Sequence, residues 1–495
     1  MIESFNGLKP FQLSEYIFLA LFAFFVPISW RIATYIMIGL AMSCIFKGIF
    51  EEGFKRNNLQ YKNKYVYIIS IAFWVLYAIS FFYSENTAEA RVQIGKKLSF
   101  LLFPLFFMTS NLSYLTKERI RTVMYCFVWG IFTLFIVNIV WAGYDVLIED
   151  KSINRFYEPR LLQEGTGYIH HTYTSIYSCL GISFCFYELF LKNTIGIKIF
   201  NVTAILMLIL FITLSSSRAG LLCVVTIFVI SWFWVTFVKR ERLVGISVGI
   251  VIIGIIIAGV LFFDNGIKRI TTTLTNLGDV ERQDRRVGIT IGYKDLLIEK
   301  FWFGVGAGDR SDETMKSYLN KKEELIQNIK PIDNIYTEDF DKNRRECLES
   351  INKKSYGNLN DRVFNYAKEM SVKYGCDYNS VRENLATYIN INVAIKSDCN
   401  AHNQFSDTII AVGIIGLLLL LGFFFMPIYL WIKNKNFDIV LFSLLFIIAF
   451  NCLFESVFER QMGIMFFTFF YFLLFHANFC QQTNDNGQQT LSNLK

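Results

Sequence analysis

The chain has 495 residues, of which 54% are hydrophobic and 17% aromatic, while only 18% are charged. Soluble domains carry about 25% charged residues, so this composition excludes an ordinary soluble protein. Apolar runs of about 17–25 residues recur with almost no ionisable side chains, the length that a helix needs to cross a ~30 Å hydrocarbon core. The sequence therefore predicts an all-α polytopic membrane protein.

The apolar runs define the domain organisation. About twelve transmembrane helices are predicted, with a large polar insert between the ninth and the tenth. The predicted domains are residues 1–263 with nine spans, a helical insert at 264–407, residues 408–480 with three spans, and a tail at 481–495. The predicted spans are 11–29, 31–50, 65–83, 97–110, 120–143, 170–191, 197–214, 218–238, 243–263, 408–432, 437–454 and 460–479.

Lysine and arginine residues are concentrated in alternate loops. With the N-terminus in the cytoplasm, the inner loops contain Lys55-Arg56, Lys117–Arg121 and Lys239–Arg242, whereas the short outer loops hold fewer basic residues. This bias predicts that both termini are cytoplasmic and that the insert lies outside, in the periplasm. The net charge of +7 is thus explained by membrane orientation, and it does not indicate nucleic-acid binding.

The insert has helical patterns of its own. Arg286–Lys300 is predicted to form an amphipathic helix, because its apolar residues recur among polar ones. Phe301–Gly308 follows as an aromatic patch and a glycine-rich turn. Further helices are expected near 311–329, 359–374 and 379–396, so the insert is predicted to be a helical cap over the outer membrane face.

A serine-rich stretch, Ser215–Gly220, lies between two apolar runs at the predicted outer face. Ser217 can cap the helix that follows, and the free N–H groups at a helix start favour an anion. Arg218 adds a planar charged group that suits phosphate. The structural alternative is an arginine that snorkels from a helix end to the membrane surface.

A second basic stretch opens the amphipathic helix of the insert. Arg282, Arg285 and Arg286 lie within five residues, and arginines can bind a diphosphate with paired hydrogen bonds. Glu281 and Asp284 are interleaved with them. Spacing alone therefore favours a solvated, partly self-paired run of charges.

The insert returns to the membrane at His402-Asn403. A histidine at such a boundary can act as a general base at neutral pH, and a neighbouring amide can hold the substrate or the tautomer. The alternative is a histidine that only hydrogen-bonds the backbone of the insert. The residues alone leave both interpretations open.

In this order, the three motifs resemble the O-antigen ligase and polymerase superfamily of bacterial inner-membrane glycan transferases. Members have a Ser-Arg-Ala/Gly stretch before a span, matched here from Ser217. An arginine-led helix then ends in a Gly-x-Gly turn, matched by Arg286 through Gly304-Val305-Gly306. The insert closes with His402-Asn403, nine residues, and Gly413-Ile414-Ile415-Gly416. The resemblance is spread over about 165–475.

The resemblance implies an inverting, metal-independent glycosyltransferase at the periplasmic face of the inner membrane. The donor would be a glycan on undecaprenyl diphosphate, and the acceptor lipid A–core. Arg218 and Arg286 would bind the diphosphate and stabilise its developing charge, while His402 would deprotonate or orient the acceptor hydroxyl. The further substrate-binding residues that it implies are Asn403, Ser217, Arg285, Arg282, His171, Arg460 and Glu455.

Some of these assignments have structural alternatives. His171 stands where the family frequently has a histidine, so it could contact sugar or acceptor, but interfacial anchoring is the favoured interpretation. Glu455 and Arg460 could pair with each other, or Arg460 could assist with phosphate. No cofactor, metal ion or ATP is implied. Asp339-Phe340-Asp341 is interpreted as a solvated acidic surface, since nucleotide sugars are cytoplasmic and this run is predicted outside.

Three other functions remain open from the sequence. An O-antigen polymerase would use the same chemistry with another lipid-linked repeat unit as acceptor, and a protein O-glycosylating member would differ only in its acceptor. A flippase of lipid-linked glycans is the alternative from another class. Transporters usually place charges near the bilayer midplane and show two similar halves. The spans here show few such charges, which favours the transferase.

Overall fold

The computed structural model describes residues 7–52, 63–110, 112–152, 155–156, 170–191, 193–215, 218–238, 294–317, 368, 372 and 403–480. Within these ranges every regular element is a helix, which confirms the all-α prediction. In chain order the main helices are α1 (Pro10–Phe25), α2 (Trp30–Lys47), α3 (Lys64–Ser80), α4 (Thr87–Lys96), α5 (Ser99–Thr109), α6 (Lys117–Leu147), α7 (His171–Leu189), α8 (Ile195–Leu214), α9 (Arg218–Phe233), α10 (Gln404–Asn434), α11 (Ile439–Cys452) and α12 (Gln461–Phe475).

Seven helical segments of the described chain are long and apolar enough to cross a membrane. Three shorter helices, α1, α3 and α11, are also apolar. The predicted count of twelve spans and the periplasmic position of the insert stay predictions, and the predicted ninth span, 243–263, lies outside the described residues. The seven segments are Trp30–Phe50, Thr87–Thr109, Lys117–Leu147, Ile195–Leu214, Ala219–Phe237, Gln404–Asn434 and Gln461–Phe479.

The chain forms two compact units. The first, which we call the bundle unit, comprises Met1–Ile79, Arg91–Phe262 and Gly416–Lys495. The second, the insert unit, comprises Ser80–Ala90 and Phe263–Ile415. Residues from the loop before α4 therefore belong to the same compact unit as the long polar insert.

Helix α12 forms the core of the bundle unit. Every residue from Met462 to Phe475 is buried, as expected for a helix that is apolar on all sides. Its phenylalanines pack against rings of other helices, with centroids 4.5 Å apart for Phe22 and Phe469 and 4.4 Å apart for Phe127 and Phe470. Such aromatic pairs add to the stabilisation from burial itself.

Among the described residues of the bundle unit, buried charges are paired. Lys97, between α4 and α5, is fully buried, and its ammonium lies 3.2 Å from Glu459 and 3.1 Å from the side-chain oxygen of Gln93. Near the start of α1, Glu15 is buried and pairs with Lys47 at 3.1 Å. Pairing is the expected state of charges in membrane helices, since hydrocarbon cannot solvate them.

In the insert unit, a kinked helix receives a glycine-rich turn. Gly413 interrupts α10 with φ 72° and ψ −169°, so the carbonyls and N–H groups around it lose their partners within the helix. The turn supplies replacements: Val305 N–H donates to Ile410 O at 2.7 Å, and Ile414 N–H donates to Phe301 O at 2.8 Å. We call these two segments, Phe301–Gly306 and Ile410–Ile414, the glycine clasp.

The clasp requires glycine on both sides. Gly304 has φ +71° and a Cβ there would lie 2.6 Å from the carbonyl of Ala411, while a Cβ on Gly413 would lie 2.2 Å from the carbonyl oxygen of Trp302. These positions belong to the Gly-x-Gly and Gly-x-x-Gly motifs of the sequence. The structure therefore brings into direct contact two motifs that lie about a hundred residues apart in the chain.

We expect Gly413→Ala to destabilise the protein by about 2 kcal/mol or more, because the added Cβ overlaps the backbone of the turn and the φ and ψ values suit only glycine. Gly95→Ala is the matched control. Gly95 lies in α4, and a Cβ there would meet nothing within 4 Å. Thermal unfolding of the detergent-purified variants measures the effect. Equal unfolding temperatures for the two variants would contradict the clasp.

Candidate functional site

Helix α10 begins directly after the histidine motif. The side-chain oxygen of Asn403 accepts hydrogen bonds from the N–H groups of Phe405 at 3.0 Å and Ser406 at 3.1 Å. Its carbonyl accepts from Asp407 N–H at 3.0 Å. Asn403 is therefore the N-cap of α10. The asparagine before an apolar run was a readable sign of this cap, and the cap fixes the chain immediately after His402.

A buried ion pair joins the turn to the first part of α10. Arg310 Nη1 lies 2.6 Å from Asp407 Oδ1, and the two side chains are 7% and 1% exposed. Both residues flank recognised motifs, since Arg310 follows the glycine-rich turn and Asp407 follows Asn403. The sequence pattern gave no indication that they would meet, because they are 97 residues apart.

A second carboxylate joins the turn to the segment before α4. Asp309 is buried, and its oxygens accept from the N–H groups of Glu85 and Asn86, each at 2.7 Å. The hydroxyls of Ser80 and Ser84 accept from Ala307 and Gly308 N–H, each at 3.2 Å. Three chain segments, 80–90, 301–310 and 403–414, are thereby held together within the insert unit.

Tyr83 adds a side-chain contact to this arrangement. Its hydroxyl donates to the carbonyl of Phe303 at 3.0 Å. This bond joins the segment before α4 to the glycine-rich turn.

In the bundle unit, close packing at small residues brings three other segments together. A Cβ on Gly220 would lie 2.6 Å from the Cβ of Ser175, so the start of α9 lies against the start of α7. Tyr173 OH donates to the carbonyl of Val457 at 3.2 Å. A Cβ on Gly463 would lie 2.3 Å from that same carbonyl oxygen. The start of α7, the start of α9 and the turn before α12 are therefore neighbours.

Several predicted site residues lie on these neighbouring segments. His171 begins α7, and its ring packs on His170 with centroids 4.1 Å apart. His170 is the N-cap of α7 and accepts from Thr172 N–H at 3.4 Å. Arg218 begins α9. Glu455 and Arg460 flank the short turn before α12.

Other predicted residues lie outside the described part of the chain, so their roles stay predictions. They are His402, Ser217, Arg282, Arg285 and Arg286; of Arg218 only the backbone is described. Among the described residues, no group of three or more histidine, cysteine, aspartate and glutamate residues could hold a metal ion.

Part of the chain matches a known family. Residues 202–340 match a family model described as O-antigen ligase. The matched stretch contains Ser217-Arg218, the arginines at 282–286 and the Gly304–Gly306 turn, and it ends before His402-Asn403. No curated protein matches the chain.

We expect Asp407→Asn to destabilise the protein by about 3–5 kcal/mol, because it leaves the buried Arg310 guanidinium without this carboxylate. A double variant, Asp407→Leu with Arg310→Met, should recover much of the loss by replacing the ion pair with apolar contacts. Thermal unfolding of the two variants measures both effects.

The control for this experiment is Glu313→Gln, which removes an exposed ion pair with Lys316 in the same unit. Exposed pairs contribute little, so the unfolding temperature should stay nearly unchanged. The buried pair does not stabilise the protein as proposed if Asp407→Asn unfolds at the same temperature as Glu313→Gln. The same conclusion follows if the double variant loses as much stability as the two single changes added together.

Proposed function

Because the chain belongs to the O-antigen ligase/polymerase superfamily, we propose that it is an O-antigen ligase. It transfers a glycan from undecaprenyl diphosphate to lipid A–core at the periplasmic face of the bacterial inner membrane. The lipid of the donor lies among the membrane spans and its diphosphate at the outer boundary. Seven apolar helical segments of membrane-spanning length support this arrangement.

Arginines carry the proposed recognition of the diphosphate. Arg218 and Arg286 bind its oxygens and stabilise the negative charge that develops as the sugar leaves. Arg218 begins α9, so the N–H groups of the first turn add a positive end of the helix dipole to its charge. Ser217, Arg282, Arg285 and Arg460 complete the proposed phosphate contacts.

His402 carries the proposed proton transfer. It accepts the proton of the acceptor hydroxyl while that oxygen attacks the anomeric carbon. The bond from this carbon to the phosphate oxygen breaks on the opposite side, so the configuration inverts and undecaprenyl diphosphate leaves. The acceptor is held by Asn403, His171 and Glu455 in this scheme.

The observation that carries the proposal is the glycine clasp, taken with the family match. The segment that Arg286 opens ends in the Gly304–Gly306 turn, and this turn bonds to the helix that begins just after His402. The Arg310–Asp407 ion pair closes the same connection at 2.6 Å. A rigid junction between these segments is what a site built from Arg286 and His402 needs.

The rival function is an O-antigen polymerase, and the lipopolysaccharide of a strain without this gene separates the two. A ligase predicts bare lipid A–core, with long polymer accumulating on its lipid carrier. A polymerase predicts core that carries a single repeat unit. Unchanged lipopolysaccharide, with normal amounts of lipid-linked glycan, would contradict both functions. If the protein were a flippase, the strain without it would accumulate lipid-linked single units on the cytoplasmic side.

We expect His402→Ala and Arg218→Ala to fail to restore the lipopolysaccharide profile in that strain, with a loss of activity of at least about 100-fold. Arg218→Lys tests whether the planar guanidinium is needed, because lysine keeps the charge and loses the paired hydrogen bonds. The amount of each variant in the membrane serves as the control. Full activity of His402→Ala would remove this residue from the mechanism.

Asn403→Asp separates the capping role of Asn403 from its proposed role in binding. Aspartate also caps helices, so we expect normal thermal stability, but it lacks the amide N–H groups, so transfer should fall about tenfold. Asn403→Ala should lose both stability and activity. If Asn403→Asp keeps full transfer activity, Asn403 acts only as the cap of α10.

A further inference from the structure

An aromatic patch on the insert unit remains outside the proposed site. Phe82, Trp302 and Phe303 are 86%, 68% and 75% exposed, and Tyr83 and Phe301 beside them are partly exposed. The hydrogen bond from Tyr83 OH to Phe303 O joins the two parts of this patch. Large aromatic side chains grouped in this way mark a surface that something apolar covers.

The backbone beneath the patch is hydrogen-bonded within the protein. Phe301 O accepts from Ile414 N–H, Phe303 O accepts from Tyr83 OH, and Gly304 N–H donates to Lys300 O at 2.9 Å. Exposed apolar side chains over a bonded backbone are what a lipid environment requires, because lipid cannot satisfy free N–H and C=O groups.

The position of the clasp along α10 indicates how deep in the membrane the patch lies. About 20 residues separate Gly413 from Lys433 near the end of this helix, which corresponds to ~30 Å, the thickness of the hydrocarbon core. With Lys433 at one surface, Gly413 reaches the other. Trp302 contacts Gly413 through its backbone, so it lies at the boundary where tryptophan and tyrosine concentrate in membrane proteins.

The charges on the neighbouring helix fit this depth. The helix at 294–299 carries Lys294, Asp295 and Glu299, and Lys300 follows it directly before Phe301. Lys300 pairs with Glu299 at 2.7 Å in an exposed position. The chain therefore changes from charged to aromatic within one residue, as it would on passing from water into the membrane interface.

We propose that Phe82, Tyr83 and Phe301–Phe303 form an interfacial anchor, which holds the insert unit in the boundary between lipid headgroups and acyl chains. The occupant of the patch is membrane lipid. Phe301–Phe303 belong to the insert, 264–407, which the sequence predicts to be a periplasmic helical cap over the outer membrane face, and the anchor would hold this part of the cap in that face. The anchor depends on the membrane topology and is independent of the proposed transferase reaction.

Tryptophan fluorescence tests this depth on the full chain in phosphatidylcholine–phosphatidylglycerol vesicles. Lipids with a nitroxide near the headgroup or near the chain end quench tryptophans at their own depth. The difference between wild type and Trp302→Phe isolates the signal of Trp302. We expect this signal to be quenched at least twofold more by the shallow nitroxide than by the deep one.

Trp129→Phe is the matched control. Trp129 is half-exposed and lies about a dozen residues into α6, or ~18 Å along this helix, so its signal should respond more to the deep nitroxide. Quenching of Trp302 by aqueous iodide, with no response to either lipid, would overturn the anchor. Protection from iodide and from both lipids would also overturn it, since another copy of the chain or another protein would then cover the patch.

Discussion

Every backbone polar group in an apolar helix must find a partner inside the protein. Gly413 breaks the helical pattern of α10, so the groups around it need partners from another segment. Gly413 lies ten residues into α10 and is non-helical, so it releases carbonyls and an N–H group from their partners within the helix, and lipid cannot satisfy such groups. The Phe301–Gly306 turn bonds to these groups, so the kink and the turn stabilise each other. The Arg310–Asp407 and Asp309 contacts extend from the same turn and hold the neighbouring described segments to it.

The bundle unit meets the same constraint by other means. Its buried charges Lys97 and Glu459 form a pair, and its helices approach closely at glycines. Gly220 and Gly463 lie at the starts of α9 and α12, next to Arg218 and Arg460. The two glycines thus serve packing, and this packing sets where the backbone of the nearby arginines lies. This division explains why the motifs combine glycine with charge.

The sequence predicted the helices well, because apolar length is a local property that each run carries by itself. The positions where segments make their closest contacts are harder to predict from the sequence. The glycines at 304 and 413 were recognised as motifs, but their mutual contact depends on φ and ψ values that no spacing reveals. The sequence did not predict the roles of Asp309, Arg310 and Asp407, because each binds a partner that is far away in the chain. The role of His402 rests on the motif order, and that of Arg286 on the motif order and the family match, since both lie outside the described residues.

The Arg310–Asp407 pair has an evolutionary consequence. The two residues hold the entry and the exit of a 97-residue stretch at one point. Closing a longer loop between fixed ends costs only about 0.6 kcal/mol for each doubling of its length. Insertions and deletions between these two residues, away from the His402-Asn403 motif, therefore have little thermodynamic effect on the junction. Natural selection can reshape this stretch for new acceptors while the junction stays the same.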